Sequence, residues 1–318
     1  MRCAWRGSGG DRRASTSRWI TAYQAAHDSD AKRAVRNFDA ALFGHLSFSL
    51  SNAVRALIFG LTGGRGIPVP AGDATRRYYQ QLTRYSSAFA LAADVSMLVL
   101  GGALKRREKI SARLGDVLSY LYLCSATLKH FEDEDRQADD LPLLHWAMQD
   151  ALYKIQVAFD GVLQNFPSRF AALALRALIF PLGRCLAPPS DHLGHQVAAL
   201  LLQPGAARDR LTDGMYLPDD ESSAVGALEA ALHSTLACEP LQTKLEEARK
   251  AGKLKALEEL PRIAEARDKG IISAEQALQL ERDYALRRMV IMVDDFAPVT
   301  GVFRVYSVDA APLNPTPS

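Results

Sequence analysis

The stretch YYQQLTRYSSAFALAADVSMLVLGGALKRREKISARLGDVLSYLYLCSATLKHFEDE, residues 78–134, decides the fold class. Along its first half Leu82, Tyr85, Phe89, Ala93, Met97, Leu100 and Leu104 step by three or four. That spacing gathers side chains on one face of an α-helix. Gly101-Gly102 stands near the C-terminal end of this stripe, and a second stripe follows with Val117, Leu118, Leu121, Cys124, Ser125 and Leu128. A third continues beyond the quoted stretch through Leu144, Ala147, Ala151, Leu152, Ile155, Phe159, Val162, Leu163 and Phe166. No segment alternates apolar and polar residues as a half-buried strand does. The expected fold is all-α, a bundle of long amphipathic helices.

The same reading extends in both directions. Phe38, Leu42, Phe43, Leu46, Leu50, Val54, Leu57, Ile58 and Leu61 recur at helical spacing and predict one or two buried helices, stopped by Gly63-Gly64. Residues 62–75, TGGRGIPVPAGDAT, are dense in Gly and Pro and predict a loop that separates two packing units, about 19–64 and 75–296. The acidic run from Phe131 to Asp135 and the polar residues to Asp140 predict a solvated linker, with Leu141-Pro142 in the first turn of the next helix. Residues 170–182, FAALALRALIFPL, are apolar almost all round and predict a helix buried on most sides, ended by Pro181. Further helices are expected near 191–203 and 241–268, and Ser273 with Gln276 has the spacing of a capping box. Residues 1–18, with Arg2, Arg6, Arg12, Arg13 and Arg18, predict a disordered basic arm, and residues 297–318 a loose tail.

Composition narrows the classes. With 318 residues, 48% hydrophobic and 23% charged, the chain has material for a sizeable core and is neither fibrous nor low-complexity. A net charge of +2 gives no electrostatic footprint for nucleic acid, so no nucleic-acid partner is expected. Cys3, Cys124, Cys185 and Cys238 lie far apart, which suits neither a disulfide framework nor a zinc module and makes a cytoplasmic location the expectation. Arg55 and Arg176 interrupt the two most apolar segments, so a membrane-spanning helix is not expected, while contact with a membrane surface stays open.

Few motifs carry chemistry. GLTGGRG at 60–66 has closely spaced glycines but lacks the Gly-Lys-Ser/Thr of a P-loop and the strand of a dinucleotide fingerprint, so a structural loop is favoured. His192 and His195 could share a helix face, yet a zinc site needs three or four ligands and no neighbouring residue completes one. No G-x-S-x-G elbow is present. The one candidate patch is Lys105, Arg106, Arg107 and Lys109, a basic cluster at a helix end that suits anionic lipid headgroups or a phosphorylated ligand. A solvated helix end, where cations also complement the macrodipole, is the favoured reading of the cluster.

Six segments together resemble the C-terminal extension of the long bacterial-type acyl-CoA dehydrogenases of fatty acid β-oxidation. They are FDAALFGHLSFSLSNAVRALIFGLTGGRG (38–66), the quoted stretch 78–134, LPLLHWAMQDALYKIQVAFDGVLQNFP (141–167), LRALIFPLG (175–183), ARDRLTDGMYLP (207–218) and VIMVDDF (290–296). The resemblance implies a helical domain that supports a separate catalytic module. That module binds FAD and acyl-CoA, and its glutamate removes the α-proton while hydride passes to the flavin. No residue of this chain matches the glutamate's motif, so neither a catalytic nor an FAD-binding residue is carried over. The resemblance further implies the catalytic module as partner, in cis or in trans, and membrane association at the inner face of the cell membrane. A fragment of a longer enzyme and a separate subunit both stay open, as does a non-enzymatic helical scaffold.

Overall fold

The computed structural model describes residues 31–69, 74–218 and 221–292. The expected arm at 1–18 and tail at 297–318 lie outside the described residues. Among those described there are ten α-helices and no strand: α1 (Ala31–Thr62), α2 (Arg76–Leu100), α3 (Glu108–Asp133), α4 (Leu141–Gln164), α5 (Arg169–Ile179), α6 (Asp191–Leu202), α7 (Ala206–Thr212), α8 (Ala224–Lys250), α9 (Glu259–Asp268) and α10 (Ala274–Ile291). The all-α expectation holds. The chain divides into two compact units between Asp213 and Gly214. At the 62–75 loop, where a separation was expected from sequence, α1 instead packs on α2 and α5 within the first unit.

The core of the first unit lies between α3 and α4. Val117, Leu121, Cys124 and Leu128 from α3 meet Met148, Leu152, Ile155, Phe159 and Val162 from α4, with Tyr85 and Leu91 of α2 and Leu175 and Ile179 of α5 closing it. Phe159 is fully buried; it stacks on Tyr85 with ring centroids 6.0 Å apart and meets the edge of Phe180 at 6.2 Å. The α3 and α4 side chains among them belong to the second and third predicted stripes, except Met148, which the pattern missed; Leu118 of the second stripe is exposed. Pro142 sits in the first turn of α4 as expected. The linker between α3 and α4 is ordered by Asp135 and Arg136, both in the left-handed region at φ 57 and 56, and by the Arg136 guanidinium on Glu132.

Three expectations are corrected. Helix α2 bears out the predicted stripe only in part: Tyr85 is fully buried and Leu82, Phe89, Leu100 and Leu104 pack half-buried against the core, but Met97 is exposed, and polar Gln80, Gln81, Arg84, Asp94 and Ser96 are buried as well. The reason is that α2 is covered on two sides, by α1 and by the α3–α4 layer, so a single stripe could not describe it. Helix α5 ends before Pro181 as expected but is not buried on most sides; Leu175 and Ile179 are inside, while Phe170 and Leu173 point outward. Helix α1 is one continuous helix of 32 residues, yet Phe43, Leu46, Leu50, Val54, Ile58 and Leu61, expected inside, are exposed. A fourth difference concerns length and polarity. Val35–Thr62 and Arg76–Arg106 are both long and apolar enough to cross a membrane, by length and composition alone; Arg55 does not outweigh the apolar residues of the first, and the second is not one of the segments that Arg55 and Arg176 interrupt.

Close backbone approach explains the hairpin of α1 and α2. Gly63 and Gly64 adopt φ of 57 and 74, which reverses the chain, and Gly64 donates to the Phe59 carbonyl at 2.8 Å. The loop is then fastened from α2. Arg77 and Gln81 donate to the Gly63 carbonyl at 3.1 and 3.2 Å, and Gln80 donates to the Arg65 and Ile67 carbonyls at 3.1 and 3.3 Å.

The second unit is a small helical body. Cys238, Leu245, Leu254, Ile263, Ala266 and Leu280 form its core between α8, α9 and α10. The predicted capping box opens α10: Gln276 N–H donates to Ser273 Oγ at 3.1 Å, and Ser273 N–H donates to Gln276 Oε1 at 3.0 Å. Glu265 accepts from Lys269 at 2.6 Å and from the backbone N–H groups of Lys255 and Ala256 at 2.9 Å each. The Lys269 ammonium foremost, then the two amides, hold its carboxyl down to about 2.

Two outcomes follow for stability. Phe159→Ala removes the ring that joins α2, α4 and the end of α5, and should cost about 3–5 kcal/mol, read as a lowered urea midpoint by circular dichroism. The depressed pKa of Glu265 stabilises the folded state fully above its unfolded value of 4.5, and that contribution is lost as pH falls toward about 2. Glu265→Gln should therefore flatten the acid limb of thermal stability over that window; an unchanged limb would show that the carboxylate's partners do not form.

Candidate functional site

The predicted basic cluster straddles a helix junction. Gly101, at φ 50, ends α2 and donates its N–H to the Met97 carbonyl. A short 3-10 helix, Gly101–Arg106, carries Lys105 and Arg106; Arg107 is the N-cap of α3 and Lys109 lies in its first turn. The double glycine thus turns the chain so that four cations occupy a few consecutive exposed positions, with Glu108 the single acid among them. None of the four has an ion-pair partner among the described residues. Lys105 and Arg106 follow the C-terminal end of α2, where positive charge is favoured, but Lys109 sits at the N-terminal end of α3, where it is not. Helix-dipole compensation accounts for half of the cluster and leaves Lys109 unexplained.

The other sequence candidates resolve differently. The carbonyls of the 60–66 loop are occupied by α2 side chains, and a Cβ on Gly64 would lie 3.1 Å from the Gln80 carbonyl oxygen, so its glycines serve close packing. His192 and His195 are both exposed on α6, and His192 Nε2 lies 3.3 Å from Gln196 Nε2. Among the described residues no three His, Cys, Asp or Glu side chains gather as metal ligands.

Two concavities of the first unit were not foreseen from sequence. One, of about 340 Å³, lies between α3, α4 and α7 and is lined by Thr127, His130, Phe131, Leu144, Leu211 and the pair Asp140–Arg210. Arg210 grips Asp140 with two bonds, Nε at 2.9 Å and Nη2 at 2.7 Å, which raises its pKa. The other is an open groove of about 600 Å³ beside α6, lined chiefly by small and apolar residues with Asp139, Gln196, Gln203 and Arg208 at its margin. Neither suits the flavin that the resemblance implies. A pyrophosphate needs converging donors, yet the arginine of the first cavity is already consumed by a carboxylate and the groove carries Asp139. The groove also offers no aromatic wall to an isoalloxazine ring. No step of flavin chemistry is assigned to these residues.

Buried groups elsewhere are structural in character. Burial pushes the Cys124 thiol up to about 12, which leaves it a small hydrophobe rather than a nucleophile. Tyr85 is likewise raised to about 12 by burial. Asp160, nearly buried on α4, accepts from Arg176 at 3.3 Å and Arg184 at 3.0 Å and so ties α5 and the following loop to α4. These pairings join residues far apart in the chain, which no local pattern announces.

No solved structure matches the chain. The family model described as acyl-CoA dehydrogenase, C-terminal, bacterial type, matches residues 19–296, which span α1 to α10 and therefore both compact units. A match over most of the chain, on an all-helical frame, decides the assignment. The chain belongs to the bacterial-type acyl-CoA dehydrogenase C-terminal domain family.

Proposed function

We propose that this chain is the helical support domain of an FAD-dependent acyl-CoA dehydrogenase of fatty acid β-oxidation, working with a catalytic module in cis or in trans. The observation that carries the reading is the family match over residues 19–296. The family is FAD-dependent, and neither concavity of the first unit offers converging free donors for the pyrophosphate of that cofactor. In this reading the partner module supplies flavin, acyl-CoA site and proton-abstracting glutamate. This chain supplies a rigid helical surface. A cytoplasmic site of action goes with it, supported by Cys124, Cys185 and Cys238 standing as free thiols, one of them exposed.

The test uses the chain alone and with a separately expressed flavin-bearing module of the same family. Alone, it should purify colourless and give no acyl-CoA-dependent dye reduction. Mixed, it should retain the module on an affinity resin and raise that module's dye reduction or its melting temperature. Yellow protein that reduces dye without a partner would overturn the reading, and so would a module that neither binds nor responds.

A further inference from the structure

The cleft between α3, α4 and α7 has the size and the walls of a ligand site. Its volume of about 340 Å³ falls within the range of small-molecule pockets, about 300–1,000 Å³. Phe131, Leu144 and Ala207, all buried, make the floor, and Ala126, His130 and Leu211, all exposed, make the mouth. Three of the wall residues, Ala126, Ala147 and Ala207, end at a methyl group, and their smallness keeps the space open. A close-packed interior leaves few spaces larger than a water molecule. Water held against apolar walls finds few hydrogen-bond partners, so an apolar ligand that displaces it is favoured.

The polar groups decide what such a ligand carries. Arg210 is held by both oxygens of Asp140, and Asp139 and Glu134 also bear on its charge. Three carboxylates against one guanidinium surround this side of the cleft with an excess of negative charge, which opposes the entry of a carboxylate or a phosphate. Freeing the guanidinium for a ligand anion would strand Asp140, whose side chain is 15% exposed. Two polar groups remain, one turn apart on the same face of α3. Thr127 Oγ1 donates to the Leu123 carbonyl at 2.9 Å and keeps its lone pairs to accept a further bond. His130, whose ring has no hydrogen-bond partner among the described residues, stands at the mouth. Both suit a hydroxyl or carbonyl group.

Helix α7 covers the cleft on one side. Of its seven residues only Ala207 is buried, and Arg210 ties it to Asp140, the N-cap of α4. Pro204-Gly205 precedes the helix and Gly214, at φ 74, follows it, so the cover is bracketed by turn residues. A molecule seated beneath α7 touches Ala207 and Leu211 and adds the packing that this helix lacks. We propose that the cleft binds an uncharged, largely apolar small molecule with one hydroxyl or carbonyl head, its body on Phe131, Leu144 and Leu211 and its head at Thr127 or His130. Occupancy fastens α7, the last helix of the first unit, and stabilises the folded chain by mass action. The site is assigned on volume, wall polarity and charge and does not depend on which catalytic module the domain serves.

The experiment titrates N-phenyl-1-naphthylamine, an uncharged probe that fluoresces in apolar surroundings, with the full chain at neutral pH. Its emission should rise with a Kd on the order of 10 µM. 1-Octanol should displace it and raise the melting temperature of the chain, whereas octanoate, of equal chain length but charged, should need about tenfold or more higher concentration. Ala126→Phe and Leu211→Glu alter exposed positions. The first fills the cleft and the second puts a charge in it, so each should weaken the probe by about tenfold or more with circular dichroism unchanged. Phe43→Gln, which removes an exposed apolar side chain from α1, should leave the probe's affinity as it was. A probe that stays dark, an affinity that survives both cleft variants, or one lost in Phe43→Gln instead would each overturn the proposal. Octanoate competing as well as 1-octanol would overturn it too. None of these readouts involves flavin, acyl-CoA or a catalytic module, so a failure here is distinct from a failure of the support-domain reading.

Discussion

Arg84 enters the interior of the first unit without a carboxylate, and much of the architecture is arranged around that fact. It is 5% exposed; Nη2 donates to the Ile179 carbonyl at 3.3 Å and Nη1 reaches Gln81 Oε1 at 3.4 Å. Its guanidinium also lies 5.0 Å from the centre of the Tyr85 ring. A buried charge without such partners would cost several kcal/mol. The partner it finds is the C-terminal end of α5, where unpaired carbonyls and the helix dipole both favour a cation. This fixes where α5 stops. Pro181 follows at once, and its ring packs where a Cβ on Gly60 would come within 2.7 Å. Only glycine lets α1 approach this closely, so Arg84 ties α2 to the end of α5 and Gly60 seats α1 on the residues that follow it.

Polarity across the first unit then runs in layers. The α3–α4 interior is apolar, the seam between α1 and α2 is polar, and the outer face of α1 is apolar again. The seam is affordable because its groups are mostly satisfied by backbone carbonyls of the hairpin loop and by the Ser49–Asp94 bond. A polar seam of this kind specifies register, since a one-turn slip of α1 would strand Asp94 and the loop-binding glutamines. It also frees α1 from contributing bulk to the core. Its large side chains are consequently available to something outside the unit.

Helix existence was legible in the sequence; helix orientation was legible only where one face is buried. The α4 pattern from Leu144 to Phe166 found most of the core side chains of that helix, missing Met148 and Ala158, because α4 presents one broad face to α2, α3 and α5. The Ser273 capping box and the Gly63-Gly64 stop were equally plain, since both are local backbone chemistry. For α2 the periodic rule found Tyr85 and its neighbours on the core side but was incomplete, because the helix is covered on two faces and Arg84 and Gln80 read as surface residues. For α1 and α5 the rule assigned apolar faces inward on the assumption of water all round, and Phe43 and Phe170 point outward instead. The basic cluster could be named from sequence, since four cations within five residues are a local feature. Asp140–Arg210, 70 residues apart, leaves no local trace.

The second unit solves a different problem, that of holding a small body whose core is too limited to do so alone. Asp283 on α10 is 1% exposed; it accepts from Thr235 of α8 at 3.1 Å and from Arg287 Nε at 2.8 Å. Arg287 extends its other nitrogens to Glu259 at the start of α9, and Glu259 also accepts from Gln242 of α8 at 2.9 Å. Three helices are thus clamped through one guanidinium shared by two carboxylates. Removing Arg287 would leave Asp283 buried and uncompensated, which is costlier than the loss of any exposed pair. The first unit buries a lone cation on a helix end, whereas the second buries an anion and brings the cation to it from a partly exposed side chain. Both place ionic groups inside for positioning, and in both the geometry that makes this tolerable is a neighbouring helix presenting the right atom at its end or flank.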